Sequence, residues 1–216
     1  MKYSMVSIII RNKDEANFIG HAIQSCIDHF HDPEIIIIDD KSTDDSDKVI
    51  SLFDKTNINI YTLPKKYTPG YSLNYGVTKC NHDIILILSA HAQITNMNFK
   101  RVQMHLKNNN VAVFGNQVPI YRGKKISKRY IWSHFNQEEV LDMHSSIEQR
   151  YFLHNAFCFY EKSVLQNNPF DERLHGKEDR YWAKDMIDKH QHYIYDPLIE
   201  VNHYWTPRGA TWKGIG

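Results

Sequence analysis

Glu34-Ile35-Ile36-Ile37-Ile38-Asp39-Asp40-Lys41-Ser42-Thr43-Asp44-Asp45-Ser46 decides how this chain reads. Four consecutive isoleucines without polar alternation form the pattern of a short strand buried on both faces, as in a parallel sheet. The aspartates then fall at the strand's carboxyl end, where open α/β sheets bind ligands. A carboxylate pair there suits the hydroxyls and ring N–H of a nucleoside, which are donors in need of acceptors. Ser42, Thr43 and Asp44 are residue types that cap a following helix. The plainer alternative is that both aspartates merely end a strand and cap that helix.

The same rhythm extends outward. Residues 5–10, 58–63 and 83–88 read as further strands. Residues 15–30, 44–53, 72–79 and 99–107 read as helices, the first carrying Phe18, Ile19, Ala22, Ile23, Cys26 and Ile27 at helical spacing. Alternating strands and helices predict a doubly wound, mostly parallel sheet. The second half is less regular. It offers short strands at 111–114, 117–121, 157–160, 193–195 and 199–204, a helix at 161–166 and a basic turn at 123–128. Residues 178–190 form an amphipathic helix, with Trp182, Ala183, Met186, Ile187 and His190 three or four apart. Neither repeat nor linker divides the chain. The reading is one domain over 1–216: a nucleotide-type half, 1–115, and an irregular half, 116–216, that shapes a second substrate pocket.

Composition bounds the function. Lys+Arg 26 against Asp+Glu 25 gives a net charge of +1. That balance provides no overall pull toward nucleic acid or anionic membrane. Cys26, Cys80 and Cys158 are widely spaced and form no C-x-x-C, so they read as buried thiols in a reducing compartment. With no run of 18 apolar residues and no signal-peptide pattern, the expectation is a cytoplasmic protein without a transmembrane helix.

Four segments carry candidate chemistry. Arg11-Asn12-Lys13-Asp14-Glu15 ends the first strand, beside Asp39 and Asp40 if sequential strands are neighbours. Asp14 and Glu15 are also placed to begin a helix, where the dipole favours anions. Ser89-Ala90-His91-Ala92-Gln93 ends the fourth strand. An imidazole at such a tip coordinates a metal, donates to a phosphate, or is simply hydrogen-bonded. Phe170-Asp171-Glu172-Arg173 and Gly176-Lys177-Glu178-Asp179-Arg180 precede or open a helix. A carboxylate there is placed to act as general base toward a hydroxyl, or to complement the helix dipole. The tail brings His203, Arg208 and Lys213, which could neutralise a leaving diphosphate. Lys124-Lys125-Ile126-Ser127-Lys128-Arg129-Tyr130 is either a solvated loop or an approach to a phosphorylated or membrane-borne acceptor.

In order and spacing these segments resemble the family 2 glycosyltransferases of the GT-A fold, from Val6 to about Trp205. The resemblance implies a nucleotide-sugar donor (a UDP-, dTDP- or GDP-sugar) bound by Arg11, Asn12, Asp14, Glu15, Ser42, Asn74, Ser89 and Arg208. Asp40, or Asp39, would accept from the base. It makes Asp179, with Glu178 beside it, the catalytic carboxylate of a single inverting displacement. The acceptor would be a hydroxyl on a glycan or lipid-linked molecule, met peripherally at the membrane. One departure stands out: the family's metal-binding D-x-D reads Ser89-Ala90-His91 here. Hard cations prefer oxygen ligands, so a tightly held Mg²⁺ or Mn²⁺ is disfavoured; either His91, with His203, holds a softer divalent ion such as Mn²⁺, or the two histidines and nearby cations meet the diphosphate without a metal. The Ser-Ala-His form is similar to a rhamnosyltransferase-like subgroup, implying a deoxysugar such as rhamnose. Two alternatives remain. A sugar nucleotidyltransferase would need a glycine-rich loop after strand one, and Arg-Asn-Lys-Asp-Glu has none. A non-catalytic nucleotide-sugar-binding module would keep the fold without turnover. Related enzymes often carry further helices after Trp212-Lys213-Gly214, so the chain reads as one domain of a longer protein or as a minimal form.

Overall fold

The structure is a computed structural model and describes residues 5–54, 56–127, 130–207 and 209. The elements in order are β1 (Val6–Asn12), α1 (Ile19–His29), β2 (Glu34–Asp39), α2 (Ser46–Ser51), β3 (Ile58–Thr62), α3 (Pro69–Val77), β4 (Ile84–Ser89), β5 (Ala92–Asn96) and α4 (Phe99–Lys107). There follow β6 (Asn110–Tyr121), β7 (Lys124–Lys125), a 3-10 turn (Tyr130–His134), β8 (Val140–Leu141), β9 (His144–Ser145) and β10 (Arg150–Tyr151). The last are β11 (Phe157–Glu161), α5 (Lys162–Asn167), α6 (Glu178–Asp188) and β12 (His192–Tyr204).

The main sheet has the order β3-β2-β1-β4-β11-β6-β12-β5. β1 is central to its first half and pairs in parallel with β2 and β4. β11 and β5 run against the rest, and β6 and β12 run with β1. The sheet is therefore mostly parallel, with both faces covered. On one face Ile9, Ile36, Ile38, Ile85 and Ile87 pack under α3 and α6; on the other Ile8, Ile10, Ile35, Ile37, Leu86 and Leu88 pack under α1 and α4. Two-sided burial is why the isoleucine run shows no alternation.

Several sequence boundaries move, each for a local reason. The helix expected from 15 begins at Ile19, because Glu15 first closes a turn by accepting from the N–H groups of Phe18 and Ile19 (both 2.9 Å). Asp14 and Glu15 thus precede the helix instead of opening it. The helix expected at 72 begins at Pro69, since Thr68 accepts from the Tyr71 N–H (3.2 Å) and proline suits a first helical position. The paired short strands at 111–114 and 117–121 are one strand, as are those at 193–195 and 199–204. Both apparent breaks lie at one irregularity, where Asp196 pairs with Gly115 and the next pair is Glu200 with Asn116. The bulge absorbs Pro197, which has no ladder N–H to give. Gly115 is required there: a Cβ would lie 2.5 Å from Phe157 Cδ1 and 2.6 Å from the Ile199 carbonyl oxygen. Strand β5 had no separate signal; it pairs antiparallel with β12 after the Ala90-His91 turn.

Candidate active site

The carboxyl ends of β1 and β2 lie side by side, with Asn12 opposite Asp39. Asn12 Nδ2 donates to Asp39 Oδ1 (2.8 Å) and to Ser42 Oγ (3.0 Å). Ser42 donates its backbone N–H to Asp39 Oδ2 (2.9 Å) and its hydroxyl to Oδ1 (2.6 Å). Asp14 gives its N–H to Ser42 Oγ (2.9 Å), and its Oδ1 accepts from the Thr43 N–H (2.6 Å). Asp44 Oδ2 accepts from the Ala16 N–H (2.8 Å). These bonds latch two loops together, and they hold Asp14 and Lys41 at φ 53° and 55°, a region non-glycine residues rarely occupy. Lys13 Nζ secures the same turn by donating to the Asp40 and Lys41 carbonyls (2.8 and 2.6 Å).

The latch separates the two aspartates. Both oxygens of Asp39 are committed to it. The Asp40 carboxylate has no hydrogen-bond partner among the described residues, and it lines a cleft with Arg11, Asn12, Lys13, Glu15, Tyr67, Ser89, His91 and Gly209. Of the pair, Asp40 is the one free to accept from a ligand.

His91 sits in the turn between β4 and β5 on the cleft wall. Its Nδ1 is 3.1 Å from Glu15 Oε1 and its Nε2 3.2 Å from Ser89 Oγ. Its ring lies 4.9 Å from that of His203, whose Nδ1 is 2.8 Å from Gln117 Oε1. His203 is buried on β12. Burial first, then His91 and His154, push its proton affinity well below the usual histidine range, so it is neutral at pH 7.

The opposite wall leads to α6. Its first turn carries Glu178 and Asp179, both buried. Arg11 Nη1 donates to Glu178 Oε1 at 3.1 Å, joining the cleft to the helix across 167 residues of sequence. Burial raises the Glu178 carboxyl's pKa; Arg11 opposes this and Asp179 adds to it, and the net direction is upward. Asp179 accepts from the Asn155 N–H (3.1 Å), from Arg180 Nη1 (2.8 Å) and from the Arg180 N–H (2.9 Å).

The expected site residues therefore divide. Arg11, Asn12, Glu15, Asp40, Ser89 and His91 share the cleft, and Glu178 and Asp179 adjoin it through Arg11. Asp14, Asp39 and Ser42 build the loops beneath. Asn74 is turned elsewhere: its amide brackets the Phe170 backbone, donating to the carbonyl (2.9 Å) and accepting from the N–H (3.0 Å). Arg208 and Lys213 lie outside the described residues, as do Lys128 and Arg129. The sequence reading missed Tyr67 and Gly209 in the cleft wall. For Tyr67 there was a signal, an aromatic just before the Thr68-Pro69-Gly70 helix start.

A tightly held hard cation does not fit the Ser89-Ala90-His91 turn. The turn offers no carboxylate, both ring nitrogens of His91 are engaged, and Glu15 Oε1 is shared between His91 and the Thr206 hydroxyl (3.4 Å). Elsewhere, His105, Glu139 and Asp196 place ligand atoms within 4.8 Å of one another. Arg101 already fills that group, donating to Asp196 (2.8 Å) and Glu139 (2.7 Å), so it reads as a closed ion-pair network.

The fold is thus a mostly parallel sheet with a cleft of mixed charge at its carboxyl edge, joined through Arg11 to a carboxylate-bearing helix. The sequence matches Glycosyl transferase family 2 over residues 7–169, and the chain belongs to that family. It is 23% identical over 188 residues to the GalNAc(5)-diNAcBac-PP-undecaprenol beta-1,3-glucosyltransferase of Campylobacter jejuni, covering 85% of this chain and 60% of that protein. It is 26% identical over 185 residues to the O-antigen chain rhamnosyltransferase WbaN of Salmonella anatum, covering 81% of this chain and 58% of that one. The chain thus spans about three fifths of the length of these curated relatives. Among solved structures, S. aureus TarS 1-349 in complex with UDP-GlcNAc superimposes with a TM-score of 0.74 at 17% identity, covering 99% of this chain and 62% of that one. That likeness shows the GT-A fold.

Proposed function

We propose that the chain is the catalytic domain of an inverting glycosyltransferase, moving a sugar from a nucleoside-diphosphate sugar to a hydroxyl of a glycan or lipid-linked acceptor. One observation carries this reading: Arg11 ties the cleft holding the unpartnered Asp40 carboxylate to the Glu178-Asp179 turn. Asp40 accepts from the nucleobase. Asp179 takes the proton of the acceptor hydroxyl as that oxygen attacks the anomeric carbon from the face opposite the diphosphate. The bond from that carbon to the diphosphate breaks, and the electron pair leaves with the diphosphate. Arg11, and His91 held by Glu15 and Ser89, face the growing negative charge.

The relatives' names, an undecaprenol-linked glucosyltransferase and an O-antigen rhamnosyltransferase, support a lipid-linked or O-antigen glycan acceptor; they differ in the sugar moved, and a deoxysugar such as rhamnose is one candidate donor sugar beside a hexose. Among the described residues no helix is long and apolar enough to cross a membrane. Peripheral action at the cytoplasmic face of a membrane is part of the same proposal. The missing D-x-D carboxylates favour one second reading, a module that binds the nucleotide sugar without turnover.

A thermal-shift screen of UDP, dTDP, GDP and CMP, each with Mn²⁺, Mg²⁺ or EDTA, tests the site, because a ligand of the folded state raises the melting temperature. A shift for one nucleotide that survives EDTA is expected. A shift abolished by EDTA would restore a metal to the donor site, and no shift at all would count against the nucleotide assignment. Release of that nucleotide from its sugar donor separates the enzyme from the binding module.

A further inference from the structure

We propose that Arg180 is the positioning residue of Asp179, held in place by Glu148, and that the acceptor proton is delivered to Asp179 Oδ1. The proposal rests on the reading of Asp179 as the base.

A carboxylate offers about four lone-pair directions, two on each oxygen. Asp179 Oδ2 accepts from the Asn155 N–H (3.1 Å) and from Arg180 Nη1 (2.8 Å), and is filled. Oδ1 accepts the Arg180 N–H (2.9 Å) and, among the described residues, nothing else. One direction remains for a substrate hydroxyl, on Oδ1. In the displacement, the acceptor O–H proton passes to that atom, the O–H pair forms the new bond to the anomeric carbon, and the diphosphate departs with the pair of the broken bond.

The carboxylate keeps this orientation only if Arg180 keeps its own. Its guanidinium is fixed on several sides. Nη1 also donates to the Leu153 carbonyl (2.6 Å), and the guanidinium carbon lies 4.2 Å from the centre of the Phe152 ring. Phe152 is in turn stacked on His134 at 4.0 Å and 8°. Nη2 lies 3.4 Å from Glu148 Oε1. Glu148 is anchored by giving its N–H to Ser145 Oγ (2.8 Å), which also lies 2.6 Å from His134 Nε2. A planar fork that stacks and donates in two directions is a task for arginine and not for lysine.

Glu148 has an electrostatic role as well. Glu148 Oε1 lies 3.4 Å from Arg180 Nη2, and Arg180 Nη1 2.8 Å from Asp179 Oδ2, so removing the Arg180 charge and removing the Glu148 charge change the field at Asp179 in opposite senses. The other groups facing Asp179 are Glu178 on α6, Arg11 on β1, and Cys158 and Tyr160 on β11. Burial keeps Cys158 and Tyr160 protonated, so at neutral pH the charges in play are those of Arg180, Arg11, Glu178 and Glu148.

The test compares R180K, R180Q, E148Q and D179N. Turnover is read as nucleotide released from the best donor in a panel of UDP-, dTDP- and GDP-sugars, across about pH 5 to 9, alongside melting temperature and nucleotide affinity. R180Q is expected to lower kcat roughly a hundredfold at unchanged donor KM, the cost of a misplaced group. R180K should recover only part of it. The acid limb of the pH profile should move toward higher pH in R180Q and toward lower pH in E148Q. A purely structural Arg180 would not produce opposite displacements. If both variants lose kcat with the acid limb unmoved, or moved the same way, the positioning role is wrong. If R180Q does not fold, E148Q and R180K decide the point. Turnover by D179N would instead overturn the base assignment itself; a dead D179N beside an unmoved limb overturns only the role of Arg180.

Discussion

Replacing Asn74 by alanine should destabilise the protein and leave nucleotide affinity intact. The side-chain amide makes three bonds: to the Phe170 carbonyl (2.9 Å), from the Phe170 N–H (3.0 Å), and to Glu172 Oε1 (3.0 Å). Phe170 is buried against Trp182 and Tyr160, so its backbone groups have limited access to water. Truncation leaves one donor and one acceptor unpaired. Each costs about 1–3 kcal/mol when dry, and the low end applies to a part-buried site, which gives about 2 kcal/mol in all. For a chain of this size, that lowers the melting temperature by roughly 4–8 °C. The same contact zone includes Gly70, where a Cβ would lie 2.6 Å from the Asp171 carbonyl oxygen, so the 170–172 loop has no slack toward α3. N74D should not rescue, since it keeps the bond from the Phe170 N–H, loses both donations and faces Glu172. Differential scanning calorimetry with nucleotide titration measures both quantities. A melting temperature within about 1 °C of wild type, together with lost nucleotide binding, would refute the assignment and return Asn74 to the donor site.

Three further outcomes are expected. Asp179→Asn should lower kcat by roughly 10²–10⁴-fold, the usual worth of a general base, with nucleotide affinity near wild type; an active variant removes Asp179 from that role. Asp40→Ala should weaken nucleotide binding by roughly ten- to a hundredfold, the loss of a charged hydrogen bond, with little change in melting temperature; unchanged affinity by calorimetric titration takes it out of the donor site. Stability should fall on acidification. Burial alone would raise the Glu34 carboxyl, but bonds from the Ser7 hydroxyl and the Asn81 N–H and amide outweigh it and hold it below the usual range. Its contribution is therefore complete above about pH 4.3 and lost as pH falls through the lower folded-state value. His154 and His203 act earlier. Both are held well below the histidine range, chiefly by burial, so the unfolded chain takes up protons below about pH 6.5 that the fold refuses. Urea midpoints that stay level between about pH 7 and 5 would contradict the two histidine assignments, and midpoints that stay level from about pH 4.3 downward would contradict that of Glu34.

Much of the architecture was legible locally. The unbroken isoleucine run, the strand-helix rhythm and the acids at strand ends are short-range patterns, and β1 to β4 follow them. The irregular half was legible only in pieces. Strands β6 and β12 each looked like two, because Gly115-Asn116 and Asp196-Pro197 are breakers by propensity, and only their mutual pairing carries both strands through. The 140–151 region gave no periodic signal because its strands are two residues long.

The sequence by itself determined the parallel-type core, the family resemblance and the loops in which the acids stand, since hydrophobic period and residue spacing are local properties of a chain. Only the tertiary structure decided what each acid does. Asp39 and Asp40 are adjacent and chemically identical, yet one is consumed by Asn12 and Ser42 while the other faces the cleft. Asn74 turns to Phe170, 96 residues away, and Arg11 to Glu178. A carboxylate or an amide serves as whatever its hydrogen-bond partners leave it free to be, and those partners come from elements that only folding brings together.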